Sequence, residues 1–107
     1  MHCFTLDLID DPELIKAYDA RHKTVWPEII ASIKAAGIVQ LEIYRHANRL
    51  MMLMTVDDTY NPERKAELDL ANPRVQEWET LMWKYQQALP GTKPGDKWVR
   101  MNKIFEL

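Results

Sequence analysis

The 107-residue chain predicts an α+β fold, an antiparallel sheet with helices on one face, and three observations carry that prediction. Apolar and polar residues alternate in "CFTLDLI" and less strictly in "IVQLEIYRH", the period of a half-buried strand. Three Asp-Pro or Asn-Pro pairs each precede a stretch with helical apolar spacing. Strand-like and helix-like segments follow one another in the order strand, helix, strand, strand, helix, strand.

The first strand, "CFTLDLI", is stopped by "DDP". Asp11 then caps a helix and Pro12 supplies its first position, where a missing N–H costs nothing. Leu14, Ile15, Tyr18 and His22 recur at helical spacing, and Val25, Trp26, Ile29, Ile30 and Ile33 carry the stripe past Pro27. Proline cannot donate to the helix ladder, and it pushes Trp26 out of the helical region. The expectation is a helix over 12–22, a break, and a second piece over 27–36 ended by Gly37. "IVQLEIYRH" and "RLMMLMTVD" form a hairpin turned at Ala47-Asn48. The second of these strands is almost continuously apolar, as a strand buried on both faces would be. "NPERKAEL" begins a helix, and "NPRVQEWETLMWKYQQAL" restarts it with Val75, Trp78, Leu81, Met82 and Tyr85 as its apolar stripe. "PGTKPGDK" is a loop and "WVRMNKIFEL" the closing strand. This βαββαβ order is the ferredoxin-like arrangement. With helices on one face, the apolar residues on the other call for a second copy. The expectation is a homodimer, a dimeric α/β barrel with the site in its interior.

Bulk properties narrow the function. The length fits a single domain over 1–107. Net charge is -2 and the 14 Lys and Arg are scattered, so no basic stripe exists for nucleic acid. The N-terminus "MHCFTLDLID" lacks the cationic region of a signal peptide, and "LMMLMTV" is too short to span a bilayer. A cytoplasmic protein with neither membrane nor nucleic-acid partner is expected. Cys3 is the one cysteine, which fits a reducing compartment, and it has no basic neighbour to activate it.

Two side chains stand out for chemistry. Tyr18 and His22, at i and i+4, project from the same helix face as Leu14 and Ile15, toward the protein and not toward bulk water. Histidine exchanges protons near neutral pH, and a tyrosine hydroxyl can donate to or share such a proton. The ordinary alternative is a core aromatic beside a polar helix end. Four Trp, at 26, 78, 83 and 98, could stack on the C–H faces of a sugar ring. Trp78 sits in the core stripe, whereas Trp83 lies one position off it and is the better ligand wall. His2, His22 and His46 share no metal-ligand spacing, and three glycines cannot build a phosphate-binding loop. Cofactor-free and metal-free proton transfer remains.

The stretch "YDARHKTVWPEI", with "GIVQLEIY", "WKY" and the short terminal strand, resembles the L-rhamnose mutarotase family along the whole chain. The resemblance implies a dimeric α/β barrel that interconverts the α and β anomers of 6-deoxy sugars without a cofactor. It makes His22 the catalytic proton donor and Tyr18 a substrate-binding partner. It also places Leu41, Met82 and Trp83 at sugar-contacting positions, with Trp26 counted beside them. Rhamnose-specific members carry a tyrosine where this chain has Leu41, and a tryptophan where it has Met82. A pocket that loses such contacts changes which epimer fits. The implied substrate is therefore a deoxy monosaccharide, with L-fucose preferred over L-rhamnose, and the "PGTKPGDKWV" segment resembles fucose mutarotases more closely. The base for the anomeric hydroxyl is left open, with Glu42 and Asp57 as candidates. Two further readings share the fold: a cofactor-free monooxygenase-like or haem-handling enzyme, and a sugar-binding dimer without catalysis.

Overall fold

The computed structural model describes residues 1–93 and 97–107. Its elements are β1 (His2–Leu8), α1 (Pro12–Arg21), α2 (Pro27–Ala35), β2 (Ile38–His46), β3 (Arg49–Val56), α3 (Pro62–Ala71), α4 (Pro73–Trp83), β4 (Gln86–Gln87) and β5 (Val99–Arg100). The strands form one antiparallel sheet in the order β2-β3-β1-β4, and β5 also pairs with β1. Because β3 occupies one side of β1, the short β4 and β5 share its other edge as two pieces of one terminal strand. The topology is the ferredoxin-like βαββαβ, with each helical segment split in two by an X-Pro step.

Capping explains where the helices begin. Asp11 accepts hydrogen bonds from the amides of Glu13 and Leu14, Asn61 from Glu63 and Arg64, and Asn72 from Arg74 and Val75, each with proline next in sequence. Only α2 opens without a side-chain cap: Trp26 is extended, with φ -57° and ψ 136°, the conformation a following proline imposes. At its far end Gly37 takes φ +91° and accepts a hydrogen bond from the Asp57 amide at 2.8 Å. A Cβ there would lie 2.6 Å from Asp57 Oδ1 and from Thr59 Oγ1, so only glycine fits this corner.

Strand register sets the two faces. Leu6 opposes Leu50, Phe4 opposes Met52, Ile43 opposes Met52 and Leu41 opposes Met54, which puts all of them on one side of the sheet. A bulge between Ile38 and Gln40 inserts one residue, so Ile38 reaches the same side although an odd number separates it from Leu41. The helices cover this side. One buried cluster joins Leu8, Tyr18, Leu50, Met82 and Tyr85, and a second joins Ala36, Ile38 and Met54. On the opposite side Cys3, Met51 and Leu53 are only half-buried, beside exposed Gln40, Glu42 and Tyr44. Within one chain, β3 is therefore closed on its helix side and open on the other.

Two segments depart from the sequence-based expectation. The last helix stops at Trp83 instead of running through Leu89, because the chain past Lys84 is taken up by β1. The Tyr85 carbonyl accepts from the Ile9 amide at 2.8 Å, and Gln86 and Gln87 pair with Leu8 and Asp7. An open sheet edge competes here with helix propensity and wins, since it satisfies backbone groups that the helix would leave unpaired. The closing strand is two residues long instead of ten. In its register Phe4 faces Arg100 and Thr5 faces Val99, and the Met101 amide donates to the Cys3 carbonyl at 2.8 Å. Ile104, Phe105 and Leu107 beyond that point are exposed, Phe105 by 77%. Within the expected loop "PGTKPGDK", residues 94–96 lie outside the described residues. Among the described residues no helix is long and apolar enough to cross a membrane.

Candidate active site

The break between α1 and α2 is where the chemistry gathers. At the end of α1 the His22 amide bonds to the Asp19 carbonyl at 3.2 Å, a tightened last turn that leaves the Tyr18 carbonyl without its usual i+4 backbone donor. The His22 ring supplies one: Nδ1 lies 2.9 Å from the Tyr18 oxygen. A carbonyl can only accept, so Nδ1 carries the hydrogen in this bond. Nε2 is then the nitrogen available to a ligand, as a base in the neutral ring and as an acid in the imidazolium.

The rings around His22 hold it in place. The Tyr18 ring lies 4.4 Å away centroid to centroid, and Trp78 meets His22 edge-on at 5.8 Å. Trp26 packs edge-on against Trp78 at 5.1 Å, with the Arg74 guanidinium 4.1 Å from the Trp26 ring centroid. Tyr18 and His22 both line a cavity of about 200 Å³ between the helices and the sheet. Leu41, Ile43, Met52 and Met54 form its sheet wall, and Trp78, Met82, Gln86 and Trp98 close it from the C-terminal half.

Tyr18 is buried, and that burial raises its pKa to about 12. A side-chain hydrogen bond from Gln86 acts in the opposite direction, and the charge of Asp19 adds to the rise. The phenol therefore keeps its proton throughout the neutral range and serves as a hydrogen-bond donor, not as a base. Lys97 lowers in pKa because of burial, with Glu79 opposing the change, and its ammonium sits 4.8 Å over the Trp83 ring centroid. Two carboxylates line the cavity: Asp69, paired with Lys65 at 2.5 Å, and Glu79, 3.6 Å from Lys97.

Of the residues singled out in the sequence, Tyr18, His22, Leu41 and Met82 come together around this cavity. Trp83 and Trp26 do not line it. A step of one residue turns a helical side chain by about 100°, so Met82 facing the cavity carries Trp83 away from it. Trp26 borders a separate surface depression with Arg21, Gln76 and Lys84. Trp78 and Trp98 are the indoles that reach the cavity; Trp78 belongs to the same inward stripe as Met82, which was the available signal. Gln86 was hidden inside a segment that reads as helix. Glu42 binds the Tyr44 hydroxyl and the Gln40 amide on the open side, while Asp57 holds the Thr59 turn, so both carboxylates stand apart from the cavity. Among the described residues no group of three His, Cys, Asp or Glu could hold a metal ion.

The burial of Tyr18 has a consequence for stability. Below pH 10 both folded and unfolded chains keep the phenol proton. As pH rises from 10 toward 12 the unfolded chain loses it first, so the native state is progressively destabilised, by about 2–3 kcal/mol once pH has passed the folded value. Urea denaturation at pH 9 and pH 11.5 should show a smaller alkaline loss in Tyr18→Phe than in the parent. Equal losses in the two proteins would mean that the phenol is not buried.

The L-rhamnose mutarotase family model matches residues 1–107. An L-fucose mutarotase from Xanthomonas campestris pv. campestris is 51% identical over 107 residues, covering 98% of this chain and 86% of the relative. An L-rhamnose mutarotase from Klebsiella pneumoniae is 29% identical over 84 residues, covering 78% of this chain and 75% of the relative. Among solved structures, an L-rhamnose mutarotase from Formosa agariphila superimposes with a TM-score of 0.71 at 21% identity, over 99% of this chain and 96% of that one. Tetracenomycin F2 cyclase from Streptomyces glaucescens shares the fold with a TM-score of 0.56 at 16% identity, over 100% of this chain and 99% of that one.

Proposed function

The chain belongs to the L-rhamnose mutarotase family, and on that premise we propose that it interconverts the anomers of a 6-deoxy-L-hexose, with L-fucose preferred over L-rhamnose. The observation that carries the proposal is the His22 ring, pinned through Nδ1 and standing with Tyr18 on a cavity of about 200 Å³. In the imidazolium form Nε2 donates its proton to the ring oxygen as the C1–O bond breaks. The anomeric hydroxyl gives up its proton in the same step, and we assign its acceptance to one of the two carboxylates that line the cavity, Asp69 or Glu79. The open-chain aldehyde turns about its C1–C2 bond, and reclosure on the other face returns both protons. Tyr18, held neutral by burial, orients the sugar by donating a hydrogen bond. Trp78 and Trp98 offer the apolar walls that sugar C–H faces require.

Leu41 and Met82 support the L-fucose preference. Both line the cavity with hydrocarbon or thioether surface and cannot hydrogen-bond a hydroxyl strongly, so a sugar that directs hydroxyls at those walls is disfavoured. A half-identical relative bearing the name L-fucose mutarotase supports the same preference. The fold by itself does not choose this chemistry, since a polyketide cyclase shares it. We place the reaction in the cytoplasm, in keeping with a lone free thiol, and assign it to one domain spanning 1–107.

Anomer exchange can be read by saturation-transfer NMR on L-fucose, L-rhamnose and D-galactose. The parent should accelerate L-fucose most, and His22→Ala should slow that exchange by about 10²–10⁴-fold. Sugar binding without accelerated exchange would make the protein a binder instead of an enzyme.

The working unit in this proposal is a homodimer packed through the open side of the sheet. Cys3, Met51 and Leu53 lie there half-covered, and the apolar tail beyond Asn102 has no partner strand among the described residues. Sedimentation at micromolar concentration should give a dimer, and Leu53→Glu should shift it to monomer. A parent chain that sediments as a monomer would remove this interface.

A further inference from the structure

Gln86 is the one buried polar side chain among the described residues, only 6% exposed. It is held there by backbone pairing: Gln86 opposes Leu8 in the sheet, and directly opposed residues point their side chains to the same side, here the helix-covered one. The side chain lines the same cavity as Tyr18 and His22. Gln86 also stands near enough to the Tyr18 hydroxyl to draw the tyrosine's pKa downward against burial. Its amide oxygen accepts no hydrogen bond from any of the described residues. A carboxamide oxygen taken out of water and left without a donor is costly, and such an atom on a cavity wall points to a ligand that satisfies it.

We propose that Gln86 is a specificity-determining residue that grips one sugar hydroxyl jointly with Tyr18, a proposal that rests on the sugar-binding reading of the site. The chemistry of the pair selects the group. Tyr18 keeps its proton and lines the cavity, so its O–H serves there as a donor. Gln86 Oε1 accepts. The ligand atom that can accept from Tyr18 while donating to Gln86 is a hydroxyl. A carboxylate or carbonyl has no hydrogen to give Oε1, and an ammonium has no lone pair for the phenol. The pair therefore favours a neutral polyol over a sugar acid or an amino sugar at that position. Because the Tyr18 ring lies 4.4 Å from that of His22, the grip also sets the distance from the held hydroxyl to the proton-transferring nitrogen. β4 pins the Gln86 backbone to β1, which keeps the acceptor in place before the ligand arrives.

The test uses L-fucose and its monodeoxy analogues, each lacking one ring hydroxyl, with the parent protein and Gln86→Met, a side chain of similar length with no strong acceptor. In the parent, one deletion should cost about 10- to 100-fold in kcat/KM, beyond the others. In Gln86→Met that same deletion should cost less than about 3-fold, while the remaining deletions keep their parental cost. A second reading needs only the native chain: the Gln86 side-chain amide resonances should move on saturation with L-fucose and stay in place with the one analogue. Unchanged penalties in Gln86→Met, or amide resonances that L-fucose leaves unmoved, would overturn the proposal. A parent that binds the sugars without accelerating anomer exchange would refute the mutarotase reading alone, with Gln86 still scored by dissociation constants. A parent that binds none of them would refute both.

Discussion

One hydrogen bond organises the site: His22 Nδ1 to the Tyr18 carbonyl, 2.9 Å, across one helical turn. It exists because α1 ends there. A helix that continued would have used that carbonyl for its own ladder, and the imidazole would have had no reason to fold back. Pro27 prevents continuation by forcing Trp26 into extended backbone, and five residues, 22–26, separate the two helices. The same bond assigns the tautomer and so decides which nitrogen meets a ligand. Local helix chemistry thus becomes proton chemistry with no residue added for the purpose.

The surroundings give that nitrogen its working conditions. Hydrocarbon and thioether side chains from β2, β3 and α4 wall the cavity, and the polar groups that reach it come as interacting sets: Tyr18 with Gln86, Lys65 with Asp69, Lys97 with Glu79. A low-polarity enclosure strengthens each remaining hydrogen bond and charge interaction with a bound molecule. Anomer exchange needs little more, since the reaction already runs slowly in water and asks only for a placed acid, a placed acceptor and an oriented ring. In the proposed reading Leu41 and Met82 shape which ring fits, and Gln86 with Tyr18 holds it by one hydroxyl.

Much of this was legible in the sequence because it is written in local rules. Asp11-Pro12, Asn61-Pro62 and Asn72-Pro73 announce helix starts through side-chain capping, and the spacing of Tyr18 and His22 announces a shared face. The parts that were not legible depend on partners distant in sequence. Gln86 and Gln87 read as helix, and become strand only because β1 offers an open edge some eighty positions earlier. β5 covers only Val99 and Arg100, opposite Thr5 and Phe4, and no feature of "WVRMNKIFEL" marks that limit. For the same reason Trp83 read as the ligand wall: the inward stripe through Trp78 and Met82 looks like core until the cavity beside it is known. The Ile38–Gln40 bulge, which turns Ile38 onto the helix side, has no sequence signature of its own.

The most direct test of this account is the protonation of the two His22 nitrogens, read by ¹⁵N NMR of histidine-labelled protein during titration with L-fucose. The account predicts that neutral His22 is the Nδ1–H tautomer, and that the sugar moves the Nε2 resonance while Nδ1 stays in its hydrogen bond. A neutral ring protonated on Nε2, or an Nε2 signal indifferent to saturating sugar, would contradict it.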